Sequence, residues 1–367
     1  MPINRKARVL FLIVGGFLSA GSVHAQRGGD IVLQDEKLNF VPSAFYVSGV
    51  SDARAEHSIL AQVVYKDEAH SYVTRPEEID GGTAAGIKAF IDHNLAKNTV
   101  LRAVHITVRD LALTETAAGG NRVNGRLTLN FSFGLQKDYG IVHLVDYKTT
   151  VSYDRPDDQP NSAATILRKK IEDALAWFNT WINSEADKNI LLAKAVEVSF
   201  TDFTEKPEND TIYYSVNRPL KWTDFTETQL KDPYDAEIFA GVGYTENIEV
   251  EKGVVRLKLA LKVDVPKSAC FVRPGARNDY ALNHEQRHFD IGKIVAERFK
   301  HKVQVMKLPP DNYDGPINVQ YLETLRELDA LQKQYDRETK HGMDTLAQAE
   351  WNRKIDKELV ADGVKNN

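Results

Sequence analysis

Cysteine occurs once in the 367 residues, as Cys270, so the chain can form no intramolecular disulfide and cannot hold zinc with several thiolates. Any zinc site must use histidine and carboxylate. An excess of basic residues is missing too: the formal charge is −5, and Lys and Arg are scattered among acids with no stripe that could neutralise a run of phosphates. That argues against nucleic acid as a partner. No apolar run is as long and unbroken as a membrane span of roughly 20 residues, so no transmembrane segment is expected in the mature protein. Low-complexity blocks are absent, and with 42% hydrophobic and 27% charged residues the composition is that of a folded globular protein. The length exceeds what one core usually spans, which favours two domains.

The first residues read as an export signal. Arg5, Lys6 and Arg8 form a basic start, Val9 to Gly21 a short apolar stretch, and Val23-His24-Ala25 a small-residue site for cleavage before Gln26. Residues 1–25 are therefore expected to be a signal peptide, and the protein to be exported, periplasmic or extracellular. An uncleaved anchor is the alternative. No Cys follows the apolar stretch, which excludes a lipid anchor there.

Periodicity predicts an α+β chain. A helix is expected from Thr83 to about Asn98, with alternating strands through Val104, Ile106 and Val108 and through Leu127, Leu129, Phe131, Phe133 and Leu135. A long amphipathic helix is expected over roughly 162–183, with Leu167, Ile171, Ala174, Phe178 and Trp181 as its stripe. Trp177, Phe178 and Trp181 read as core rather than as a carbohydrate platform. The first domain, residues 26–205, is thus expected to be an antiparallel sheet with two helices. Around Val50-Ser51-Asp52-Ala53-Arg54 it resembles the small α/β domains of bacterial envelope lipoproteins, with no ligand assigned. The polar stretch "EKPENDT" marks the expected boundary. The second domain, 206–367, is expected to hold a small sheet and three helices, over about 278–306, 317–340 and 344–361.

The first of those helices contains "NHEQRHFD", Asn283 to Asp290. Two imidazoles four residues apart project from one helical face, so His284 and His288 can reach one ion. Glu285 lies beside them without being a ligand and can act as general base toward a metal-activated water. The face they share with Ala281, Leu282, Gly292, Val295, Phe299 and Val303 points inward, where an unpaired histidine is costly. Gly292 is expected to admit a neighbouring helix bearing a third ligand. Satisfied buried histidines with no metal are the plain alternative. The third ligand is open: position 294 is Ile, which excludes a metzincin continuation, while Glu323 and Glu327 are available on the next helix and "QYDRETKHG" offers Asp336 and His341.

Three motifs occur in order: Trp222-Thr223-Asp224-Phe225, His284 to Ile291, and Tyr335-Asp336 through Thr339 to His341-Gly342. On these residues the second half resembles the predicted secreted zinc-dependent proteases classed as domain of unknown function 922. The resemblance covers roughly residues 212–360, with Arg287 standing where the family often has Gly. It implies a zincin-like domain with His284 and His288 as zinc ligands and Glu285 as base. His341 is then the expected third ligand, with Asp336 either replacing it or orienting an imidazole. The expected function is an exported zinc metallopeptidase acting on peptide or protein substrates. The alternative is a non-catalytic cell-envelope binding or scaffold protein with a structural or vestigial zinc site.

Overall fold

The computed structural model describes residues 30–55, 60–227 and 234–366, and the expected signal peptide lies outside them. The chain divides into two compact units, Met1–Asn179 and Thr180–Asn367. Among the described residues they hold sheets and five α-helices, a mixed α+β architecture.

The first unit is built on β1 (Phe45–Asp52), β2 (Ala61–Lys66), β3 (Tyr72–Glu77), β4 (Arg102–Ala118), β5 (Arg122–Lys137) and β6 (Gly140–Pro156), with α1 (Thr83–Asn94) and most of α2 (Ser162–Glu185), whose last residues belong to the second unit. Among the described residues these strands form one sheet in the order β3-β2-β4-β5-β6, with β1 also on β4. The expected antiparallel sheet is in fact mixed. Antiparallel hairpins join β4, β5 and β6, but β1 and β2 both run parallel to β4. β4 is long enough to take them in tandem: β1 pairs from Arg102 to Val108 and β2 meets it at Leu113 and Thr114.

Alternation along β5 buries Leu127, Leu129, Phe131, Phe133 and Leu135 as expected. The α2 stripe packs over this face, with the Phe178 ring stacked on Phe133 at 4.1 Å and edge-on to Phe45 at 4.9 Å. Trp181 is only half-buried and Ile182 takes the buried place. Trp177 lies outside the core, 37% exposed against Tyr147. Beneath β2, β4 and β6 sits a buried ion pair. Arg155 donates to Glu115 and to the Val64 carbonyl, while Glu115 also accepts from the Tyr153 hydroxyl and the Val64 amide.

The second unit contains β7 (Ala195–Asp202), β8 (Thr211–Tyr213), β9 (Ala236–Glu237), β10 (Gly241–Glu251), β11 (Val254–Pro266) and β12 (Phe271–Val272), then α3 (Asp279–Gln304), α4 (Asp314–Thr339) and α5 (Thr345–Ala361). β7, which precedes the expected boundary, pairs in parallel with β11 from Ala195 to Asp202, so it belongs to this unit's sheet. β10 and β11 form a hairpin whose turn residues, Lys252 and Gly253, both have positive φ, as a tight two-residue turn requires.

α3 is buried on more than one stripe. Phe289, Ile291, Ile294, Val295, Ala296, Phe299 and Val303 are all within the core, because the sheet covers one side of the helix and α4 and α5 the other. Gly292 does admit a close neighbour, but it is the sheet rather than a ligand-bearing helix: a Cβ there would lie 3.1 Å from Val263 Cγ1. Arg287 is paired with Asp290 on its own helix and ties α3 to α5 through Asn352 and Asp356.

Candidate metal centre

His284 and His288 lie one turn apart on α3, and Asp336 faces them from the last turn of α4. Ligand atoms of these three side chains lie within 4.8 Å of one another, which makes them a group able to hold a metal ion. Asp336 Oδ1 is 3.3 Å from His284 Nε2 and 2.9 Å from His288 Nε2. Those separations come without hydrogen-bond geometry: Asp336 Oδ1 is buried and has no hydrogen-bond partner. A buried oxygen left in that condition is costly unless a cation shares it.

The far side of each ring is occupied by a glutamine. His284 Nδ1 is 2.9 Å from Gln348 Oε1, and His288 Nδ1 meets Gln332 Oε1. Both rings thus turn Nε2 toward Asp336. Tyr335, fully buried, fills the space between them, stacked on His284 and edge-on to His288 with centroids 4.8 Å away in each case. The donor set of two imidazoles and a carboxylate suits zinc, and the orphaned oxygen fits a shared ion.

The end of α4 shapes the site's other wall. Lys340, His341 and Gly342 all have positive φ, so the chain turns back at once toward the Asp344 cap of α5. Gly342 presses on His284: a Cβ there would lie 3.3 Å from the ring. The same turn carries the His341 ring outward against Tyr234, 4.2 Å between centroids. His341 Nδ1 is 3.7 Å from Asp336 Oδ1 and is not among the three converging residues. The group that could hold a metal thus takes in Asp336, while His341 lines the same cavity at its rim. Glu323 and Glu327 are engaged elsewhere, with Arg326 and with Arg298 and Lys302.

Glu285 is 4% exposed, and its carboxylate is held by the Ile238 amide just beyond β9. It shares a cavity of about 670 Å³ with both histidines, Asp336, His341, Tyr280 and Met343. Burial pushes the Glu285 carboxyl above its usual range, against the pull of the two imidazoles. Burial opposes charge on His288 as well, but Asp336 and Glu285 outweigh it and leave the imidazole above its usual value. Asp336 also resists ionisation through burial, yet the two imidazoles draw it far below the carboxylate range.

The Trp222 motif supports the site from outside it. Trp222–Asp224 is a single 3₁₀ turn in which Asp224 receives both terminal nitrogens of Arg218, at 2.8 and 2.9 Å. Leu220, just before it, donates its amide to Gln286 Oε1, next to Glu285. Gln332 and Gln348 were not among the expected site residues. Gln332 stands four residues before Asp336 on α4, a same-face spacing legible only once Asp336 is known to be a ligand candidate.

Residues 277–342 match the family model described as "Bacterial protein of unknown function (DUF922)". The match takes in His284, Glu285, His288, Asp336 and His341 and ends before Gln348. A comparison with curated proteins finds no match. Among solved structures, the chain is similar to a Xanthomonas campestris protein with family model DUF330, at 9% identity and TM-score 0.29, over 43% of this chain and 99% of that one. It is also similar to a minor lipoprotein from Acinetobacter baumannii, at 13% identity and TM-score 0.19, over 27% of this chain and 79% of that one. Among the described residues no helix is long and apolar enough to cross a membrane.

Proposed function

We propose that the protein is an exported zinc-dependent metallopeptidase whose zincin-like second unit holds zinc through His284, His288 and Asp336. The observation that carries this reading is the convergence of those three side chains with buried Glu285 in one cavity. Zinc in that position supplies a Lewis acid that activates water and polarises a carbonyl. Glu285, on the cavity wall, takes the proton from the attacking water and returns it to the leaving amine. With His341 outside the ligand group, three protein ligands leave a position for water and substrate, as catalytic sites require and closed structural sites do not.

The test is hydrolysis of an unfolded protein substrate by the zinc-loaded protein and by its Glu285→Gln variant. Turnover should fall by about 10²–10⁴-fold while bound zinc is unchanged. A Glu285→Gln variant as active as wild type would remove the mechanism. Zinc uptake without turnover in the wild type would favour the scaffold reading instead.

A further inference from the structure

We infer that Gln332 and Gln348 are the positioning residues of this centre: each fixes one histidine as its Nδ1–H tautomer, so that both Nε2 lone pairs face Asp336. The inference rests on the metal-site reading above and goes beyond it to residues on α4 and α5, one of them outside the matched family segment.

A glutamine can present either its oxygen or its nitrogen to a ring, so the orientation of each amide must be established from its other contacts. Gln348 donates Nε2 to the Tyr335 hydroxyl at 2.5 Å and to Asn352 Oδ1 at 2.9 Å. Asn352 is fixed in turn, because its Oδ1 also accepts from Arg287 Nε at 3.1 Å, and a guanidinium can only donate. Gln348 therefore has only its oxygen to offer His284, and His284 Nδ1 must carry the proton. Gln332 donates Nε2 to the His288 carbonyl oxygen at 2.9 Å, which turns its oxygen toward His288 Nδ1. The same logic fixes the second ring.

These acceptors are neutral. Histidine ligands commonly donate their second N–H to a carboxylate, carbonyl or water. Here a dication would lie beside two carboxyl groups, Asp336 and Glu285, and uncharged amides would orient the rings without adding a third. Gln348 is 1% exposed and belongs to α5. That helix is thus part of the centre although it contributes no ligand.

Two measurements test this. In full-length protein, zinc affinity is read by competition with a chromophoric chelator for wild type, Gln348→Leu and Gln348→Glu. Loss of the acceptor in Gln348→Leu should weaken zinc about 10–100-fold, and Gln348→Glu, which keeps an acceptor oxygen, should recover most of it. Unchanged affinity in Gln348→Leu, or equal loss in both variants, overturns the inference. The second is nitrogen-15 NMR of the histidine rings in metal-free wild type at alkaline pH. Nδ1–H signals for His284 and His288 support the assignment, and Nε2–H at either ring overturns it, whether or not Gln348→Leu folds. Nδ1–H rings in a protein that takes up no zinc would sink the metal reading while leaving the tautomers as assigned.

Discussion

A single backbone choice at residues 340–342 decides which side chain joins the histidines. Asp336 is still helical and points across at α3, whereas His341 sits past the turn, where the left-handed backbone directs it to Tyr234. Spacing offered both residues, and the preference for His341 came from the family resemblance, because φ at a helix stop is not written in spacing. Gly342 is where that turn is most exacting. With φ +77° and His284 at 3.3 Å, Gly342→Ala should lower stability by about 1–2 kcal/mol and weaken zinc binding, read by thermal melts and chelator competition. Cys270 gives the opposite case, a residue whose role follows from burial alone. It is 1% exposed, and burial pushes its thiol up to about 12. Native protein at neutral pH should resist alkylation and denatured protein should react fully; rapid native labelling would contradict this burial.

Elements were legible where one pattern dominates. The helical spacing of Phe299 and Val303 beyond His288, and the strict alternation of β5, need only one-dimensional counting. The parallel placement of β1 and β2 along β4 was not legible, because strand partners separated by an intervening helix or hairpin leave no local signature. Nor was the contribution of α5, since a buried Gln348 on an amphipathic helix looks like any polar residue. The Glu115–Arg155 pair shows how one interaction fixes several strands at once. It is 0% and 2% exposed and reaches β2, β4 and β6 through hydrogen bonds. Removing one partner strands a buried charge, so Glu115→Ala should cost about 3–5 kcal/mol in denaturant unfolding. A loss below about 1 kcal/mol would contradict that assignment.

At the scale of the whole molecule, the mixed α+β class was readable from periodicity, while the strand that opens the second sheet was not. β7 lies before the polar segment but completes a sheet after it, and polarity alone cannot report such pairing. Stability should also depend on pH and metal. Arg218, with Lys267, holds Glu208 down to about 2. A lowered folded-state value stabilises fully above the unfolded value of about 4.3 and is lost as pH falls toward 2. Glu208→Gln should therefore lower stability modestly at neutral pH and flatten the acid side of the profile, so that the two proteins converge as pH falls toward about 2. Saturating zinc should raise the unfolding free energy by about 2.7 kcal/mol at a hundredfold excess over Kd, and a chelator should reverse it.

The most direct measurement is zinc content by elemental analysis of the purified protein beside Asp336→Ala and His341→Ala. The account predicts one zinc per chain in the wild type, its loss from Asp336→Ala and its retention in His341→Ala. No zinc in the wild type after add-back, or loss from His341→Ala with retention in Asp336→Ala, would contradict it.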